Sequence, residues 1–428
     1  MEAKNRGALR SLRVLDLSRV LAGPYCTQML GDHGAAVIKV ESPAGDETRN
    51  WGPPFLENGN SAYFTGLNRN KRNICLDVRR EGGLDVLAKL IADCDVIVEN
   101  FKAGTMARWG LGYEEVLRDS FPRLIYCRIT GFGVDGPMGG LPGYDAVLQA
   151  FGGLMSVNGE KDGDPLRVGV PIVDLVAAGI AFSGILLALL ERSVSGRGQL
   201  VDITLLDTAL SILHPHSAAW FADGIVPGRT GDAHPIVAPY QTFKTPAGDF
   251  FVGAGNNRQF AGLCAVLDLP DLATDPRFVD NSDRIANLAS LEEILAPLIA
   301  AFDPAELSAQ LLAEGVPACS VNNVGQALSS PQVAHRQMVV ELNGYRGIGV
   351  PIKLERTPGG VQNAPAARGA DTLDVLTELG YSDSDLTRLI RAGTVFAAGM
   401  PRSAPPAQHG GAIDGPSGHL RAADRLRA

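Results

Sequence analysis

Several things that would have fixed a function class are scarce in this sequence. Across 428 residues only 6% are aromatic, six are cysteine, and 38 Lys and Arg fall short of 47 Asp and Glu, for a formal charge of −9 at pH 7. With no general basic field, nucleic acid and anionic membrane are not expected as partners. A phosphate-bearing ligand would have to meet a local basic cluster instead. None of Cys26, Cys75, Cys94, Cys127, Cys264 and Cys319 forms a C-x-x-C pair, so all are expected free, reduced and buried. The seven histidines contain no H-x-x-x-H spacing, and His214 and His216 have no acidic or thiol set beside them, so no metal site is expected. No apolar signal core with a cleavage site precedes the first apolar run, and the expected location is the cytoplasm. Long apolar stretches are equally rare. The one candidate, Leu175 to Leu190, is short for a bilayer, rich in Gly and Ala, and begins beside Asp174, so it reads as a buried core helix.

What is present is an ordinary globular composition, 45% hydrophobic and 20% charged, long enough for more than one domain. Strand-like runs at 12–17, 36–41, 73–78, 95–99 and 124–129 alternate with helix-like segments, of which 83–92 carries Leu84, Leu87, Leu90 and Ile91 at helical spacing. That alternation predicts an α/β fold with an open, Rossmann-like parallel sheet. Ligands of such sheets bind beyond the carboxyl ends of the strands, so Ser18 to Gly23, Ser42, Asn100-Phe101 and Thr130-Gly131 are the expected site walls. A smaller α/β domain begins near 229 with a hairpin over 239–252 turning at Pro246 to Asp249, followed by helices near 259–267, 291–302 and 304–314. The expected division is a large domain over 1–210, a linker over 211–228, the small domain over 229–328, and a linker with return to the large domain over 329–396. The stretch 397–428, rich in Pro, Gly, Ala and Ser, reads as a disordered tail.

Three local patterns carry chemistry. Gly131-Phe132-Gly133-Val134-Asp135-Gly136 matches G-x-G-x-x-G after a strand, but Pro137 to Gly143 cannot continue a helix from the third Gly. A dinucleotide site is therefore not expected, and the glycines are read as permitting close approach of a backbone or ligand. Arg69-Asn70-Lys71-Arg72-Asn73 is a dense basic patch, either a solvated strand entry or a phosphate contact. Asp174 follows the extended-looking run Val168 to Val173 and opens the small-residue stretch. It suits a helix N-cap, and equally a carboxylate that another molecule can approach closely.

The segments VLDLSRVLAGPYCTQMLGDHGAAVIKVESPAGDETR, NRNKRNICLD, VIVENFKAG, RWGLGYEE, ITGFGVDGP and DLVAAGIAFSGILLALLERSVSGRGQLVDITLLD together resemble the class III CoA-transferases, the CaiB/BaiF family. The likeness is dense over about 12–210 and thinner to about 393. Further motifs, among them GDETRNWGPPF, GYDAV, GDPLRVGV and VGAGNNRQF, look like the subgroup that acts on succinate and hydroxymethylglutarate.

The resemblance implies that Asp174 is the nucleophile, attacking a thioester without a general base because a carboxylate of ordinary pKa, about 3.9, is ionised at neutral pH. Backbone N–H groups opening the following helix would stabilise the oxyanion. It also implies that Val20, Ala22, Lys71, Arg72, Asn100, Phe101 and Arg108 line the site of coenzyme A, with Lys71 and Arg72 meeting phosphate and Phe101 covering adenine or the pantetheine arm. CoA and acyl-CoA would be substrates, with no tightly bound cofactor, and the assembly an interlocked homodimer. Leu21 and Ser42 stand where formyl-CoA transferase has Gln and Arg, and that enzyme's Gly-rich oxalate loop is replaced by Asp232 to Val237, so oxalate is not the expected acceptor. Arg167, His234 and Arg258 are candidates to hold the distal carboxylate of a C4 to C6 dicarboxylate, with Tyr144 a further expected substrate contact and succinyl-CoA the expected donor. The rival reading is an α-methylacyl-CoA racemase, which would use Asp174 with a His in a G-H-D motif. Here that motif is Gly143-Tyr144-Asp145, and a Tyr of pKa about 10 is a poor proton exchanger at neutral pH.

Overall fold

The computed structural model describes residues 7–57 and 59–399. The chain divides into two compact units. The first comprises the chain up to Gly152, Gly169–Ile212 and the chain from His335 onward; the second comprises Gly153–Val168 and Leu213–Ala334. The expected uninterrupted stretch 1–210 is thus corrected, because 153–168 packs with the second unit. Most of the expected tail, from 400 on, lies outside the described residues.

The first unit is built on a seven-stranded sheet. Six strands, β1 (Arg13–Asp16), β2 (Ala36–Glu41), β3 (Lys71–Leu76), β4 (Val96–Glu99), β5 (Ile125–Thr130) and β6 (Leu200–Thr204), are parallel in the order β3-β2-β1-β4-β5-β6. The two-residue strand Val395–Phe396 adds antiparallel to β3 at the outer edge. Helix α1 (Ala22–Asp32) joins β1 to β2 and α2 (Gly83–Ala92) joins β3 to β4, as the alternation predicted. β1, β3 and β4 are buried along nearly their whole length because both faces of the sheet are covered. Leu15, Leu17, Ile74, Leu76, Leu87, Leu90, Ile91 and Ile97 form one buried cluster.

Two features depart from expectation. The run before Asp174 is not a strand. Helix α4 (Ile172–Ser195) begins two residues before Asp174 and runs five beyond the expected end at Leu190, preceded by the short helix α3 (Asp145–Phe151). Nor is α4 a buried core helix: it packs against α1, β5 and β6, yet Leu187, Leu190 and Val194 are 67%, 67% and 86% exposed. By length and composition it is also apolar enough to cross a membrane.

The second unit carries a three-stranded antiparallel sheet of β7 (Tyr240–Thr245), β8 (Gly248–Gly253) and β9 (Ala318–Ser320). Phe243, Phe250, Phe260, Phe278, Leu291, Leu295 and Leu307 make its core. The hairpin turns where Pro and Gly predicted it. All six cysteines are free, but Cys94 is only half-buried and Cys319 is exposed.

Candidate functional site

The strand order β3-β2-β1-β4-β5-β6 reverses direction of growth between β1 and β4, and chains leaving those neighbours on opposite sides open a crevice at their carboxyl ends. A cavity of about 290 Å³ lies there. Its walls are the loop after β1 (Arg19 to Ala22), the loop after β4 (Asn100 to Ala103), the end of β5 with Gly131 and Gly133, the segment Gly140 to Tyr144, and Asp174, with Glu47 and Leu205 completing it. Glycine is required here by proximity. A Cβ on Gly131 would stand 2.8 Å from the backbone of Gly143, so the strand end and the returning loop could not otherwise close together.

Of the residues expected at the site, Val20, Ala22, Asn100, Phe101, Tyr144 and Asp174 share this cavity. Asn100 clamps the first loop from both sides, accepting from the Arg19 N–H at 2.8 Å and donating to the Arg19 carbonyl at 2.7 Å. Phe101 packs edge-on against Trp109, ring centroids 5.3 Å apart. Tyr144 is 58% exposed.

Lys71, Arg72 and Arg108 do not line it. The Lys71 ammonium is buried and fully engaged, 3.0 Å from Asp16 Oδ2, 2.7 Å from the Pro24 carbonyl and 2.9 Å from Asn68 Oδ1. It has no donor left for phosphate. Arg72 pairs with Glu378 at 2.6 Å. Arg108 folds onto its own helix turn, 2.8 Å from Thr105 Oγ1. The cations that do border the cavity are Arg19 and Lys102, neither in an ion pair among the described residues. Arg19 falls in a predicted wall; Lys102 follows Asn100-Phe101 directly and could have been read from the same loop. Ser42 is exposed and lies outside the wall.

Arg167, His234 and Arg258 belong to the second unit and are not among the cavity's lining residues. Arg167 Nη1 donates to the Val168 carbonyl at 3.2 Å. His234 packs edge-on against Tyr240 and its Nδ1 accepts from the Ile236 N–H at 3.2 Å. Arg258 is exposed on the first turn of the helix Asn257–Val266.

Asp174 occupies the first turn of α4 without capping it. The cap comes from Asp145, whose Oδ1 accepts from the N–H groups of Val173 at 2.8 Å and Asp174 at 3.2 Å, while Oδ2 accepts from Gln149 at 2.6 Å. The Ile172 N–H bonds to the Val170 carbonyl at 2.8 Å. The helix-opening donors expected to serve an oxyanion are therefore already spent. Burial, with the Asp145 carboxylate second, pushes Asp174 up to about 7. This corrects the expectation of an ordinary carboxylate. Among the described residues no cation acts on Asp174 to offset desolvation, so the charged form is disfavoured and, once formed, poorly solvated. Tyr63 was missed by sequence reasoning. Its hydroxyl is pushed up to about 12 by burial and then by Asp174, Asp145 and Asp46.

Comparison with known proteins fits this geometry. The profile of CoA-transferase family III matches residues 9–372. The chain is 39% identical to the succinyl-CoA:glutarate CoA-transferase of Mus musculus over 90% of each chain. It is 37% identical to the acetyl-CoA:oxalate CoA-transferase of Acetobacter aceti over 87% of this chain and 94% of that one. A crystal structure of a CaiB/BaiF family protein from Brucella suis superposes with a TM-score of 0.79 at 39% identity, covering 87% of this chain and 99% of that one.

Proposed function

The chain belongs to CoA-transferase family III and is a class III CoA-transferase, and from that premise we propose that it moves CoA from succinyl-CoA to a C4 to C6 dicarboxylate, glutarate foremost, through covalent intermediates on Asp174. The carrying observation is a half-buried carboxylate in the wall of a cavity at the switch point of the sheet, pushed up to about 7 and, among the described residues, paired with no cation. A poorly solvated carboxylate is a stronger nucleophile than one in water.

The reaction then runs as two exchanges. An Asp174 oxygen bonds to the thioester carbon, the C–S bond breaks, and a succinyl-aspartyl anhydride and CoA thiolate result. The thiolate attacks the Asp174 carbonyl carbon and releases succinate, leaving an aspartyl-CoA thioester. The acceptor carboxylate attacks that thioester, expelling thiolate, and the thiolate takes the acceptor's acyl carbon from the mixed anhydride, restoring Asp174. Both intermediates hydrolyse readily, which suits a wall of Gly131, Gly133, Gly140 and Gly143 against which they can pack closely and exclude water. Arg19 and Lys102 replace Lys71 and Arg72 as the cations for CoA phosphates. Arg167, His234 and Arg258 stay the candidates for the distal carboxylate. The working enzyme is taken to be a cytoplasmic homodimer, and the exposed Leu187, Leu190 and Val194 of α4 support a second copy covering that face.

Mass spectrometry of purified enzyme with succinyl-CoA and a panel of acids tests the reading. New CoA esters of glutarate and its neighbours are expected, Asp174→Ala should abolish exchange while the protein stays folded, and hydroxylamine should trap the wild-type aspartyl intermediate. Turnover by the Ala variant overturns the nucleophile. Preference for oxalate or monocarboxylates overturns the acceptor, and inversion of a 2-methylacyl-CoA without exchange overturns the reaction class.

A further inference from the structure

Val20 sits in the cavity wall with φ 70, a left-handed conformation that a β-branched side chain strongly disfavours. Such a residue persists only where its neighbours hold it. The two residues before it and Val20 itself are each held by side chains. Ser18 donates its N–H to Asp16 Oδ1 at 3.0 Å, and its carbonyl accepts from Lys39 Nζ at 2.8 Å. Arg19 is held on both sides by Asn100. The Val20 N–H points to Asp46 Oδ1 at 3.4 Å.

Behind this loop the holding groups form one buried cluster. Lys39 pairs with Asp46 at 3.1 Å and Lys71 with Asp16 at 3.0 Å, all four side chains at most 1% exposed. Asp46 Oδ1 also accepts from Thr48 Oγ1 at 2.7 Å, and Asp16 Oδ2 from Thr27 Oγ1 at 2.7 Å. None of Asp16, Lys39, Asp46 and Lys71 borders the cavity. Buried ion pairs add little net stability over apolar side chains of similar size. Their use here is geometric.

We infer that Asp16, Lys39, Asp46 and Lys71 are positioning residues, a buried clamp that holds Val20 in its left-handed conformation and so shapes the wall against which the CoA moiety binds. The inference rests on reading the cavity as the acyl-CoA site. It reassigns Lys71 from contacting phosphate to aiming the loop that does. Because the clamp acts on one wall, its loss should weaken binding of the CoA thioester and leave the chemical step and the acceptor carboxylate alone.

A double-mutant cycle on the full-length enzyme tests it. Glycine adopts positive φ at no steric cost, so Val20→Gly should make the clamp dispensable. Asp46→Ala should raise the succinyl-CoA KM and the calorimetric Kd for CoA by about tenfold or more with Val20 present, and by less than about threefold in the Val20→Gly background, with kcat and acceptor KM within about twofold. Equal effects in both backgrounds, or a fall in kcat alone, overturn the inference. If Asp46→Ala does not fold, Lys39→Met goes through the same cycle. Amide hydrogen exchange over residues 18–22 needs no ligand and separates the two readings. Exchange about tenfold faster in the clamp variant supports the clamp even if wild-type enzyme binds no CoA, which would instead refute the cavity as the acyl-CoA site. Unchanged exchange overturns the clamp whatever the enzyme binds.

Discussion

The buried Asp174 carboxylate carries a cost in stability, and the cost has a sign. Its folded-state value, about 7, stands above its ordinary value of 3.8, so folding favours the protonated form. Stability from this group is complete below about pH 4 and is lost as pH rises through about 7. Asp174→Asn should therefore stabilise the protein at pH 8 and not at pH 4. Three pKa units correspond to roughly 4 kcal/mol, and because the residue is only partly buried, about 1–3 kcal/mol is the expected gain. Thermal unfolding of both proteins at the two pH values measures it. Under the proposed mechanism the same ionisation sets activity, and kcat/KM for succinyl-CoA should fall tenfold per unit on the acid side of about pH 7. Asp145 is the second cause of the shift, so Asp145→Asn, which keeps an oxygen to accept from Val173 and Asp174, should move that acid limb to lower pH. A limb that stays in place would clear Asp145 of any electrostatic role.

Helix α4 places that carboxylate, and its glycines are not equivalent. A Cβ on Gly184 would meet Val201 Cγ1 of β6 at 2.7 Å, whereas one on Gly179 would meet nothing within 4 Å. The first glycine lets the helix lie close on the sheet. The second only weakens the helix. Gly184→Ala should destabilise the protein by about 1–3 kcal/mol through overpacking, and Gly179→Ala should stabilise it by about 0.5–1 kcal/mol by helix propensity. Urea unfolding of the two variants separates packing from propensity within one element, and opposite signs are required. Small residues at both sites looked alike in the sequence because only β6, in contact from 17 residues further on, distinguishes them.

For the whole molecule, the exposed apolar residues ask for a partner. Leu187, Leu190 and Val194 stand out on the first unit, and Phe221, Ile225 and Val226, 78%, 68% and 78% exposed, on the second. Large apolar side chains left exposed on one helix, as at Leu187, Leu190 and Val194, support the proposed association. Under the proposed interlocked homodimer, sedimentation should give twice the mass of one chain, with no dissociation on dilution because separation requires unfolding. A monomer that forms reversibly at low concentration would exclude the interlocked arrangement, and Leu190→Glu should lower the yield of folded protein rather than release stable monomer.

The alternation of elements was written locally. β2 and α2 match their expected ranges residue for residue because apolar spacing and flanking Gly or Asp mark their ends within a few positions. The nucleophile candidate, the walls after β1, β4 and β5, and the failure of G-x-G-x-x-G to open a helix were legible for the same reason, since each depends on neighbours in sequence. The sequence by itself therefore determined the α/β alternation, the candidate chemistry and, through its motifs, the family. Only the tertiary structure decided the states of the groups. Lys71 looks like a surface cation until Asp16, 55 positions away, meets it in the core. Asp174 looks like an ordinary carboxylate until Asp145, brought from 29 positions away to cap α4, is placed beside it. Desolvation, charge pairing and backbone strain are set by whichever distant segments pack around a residue, and no local pattern records them.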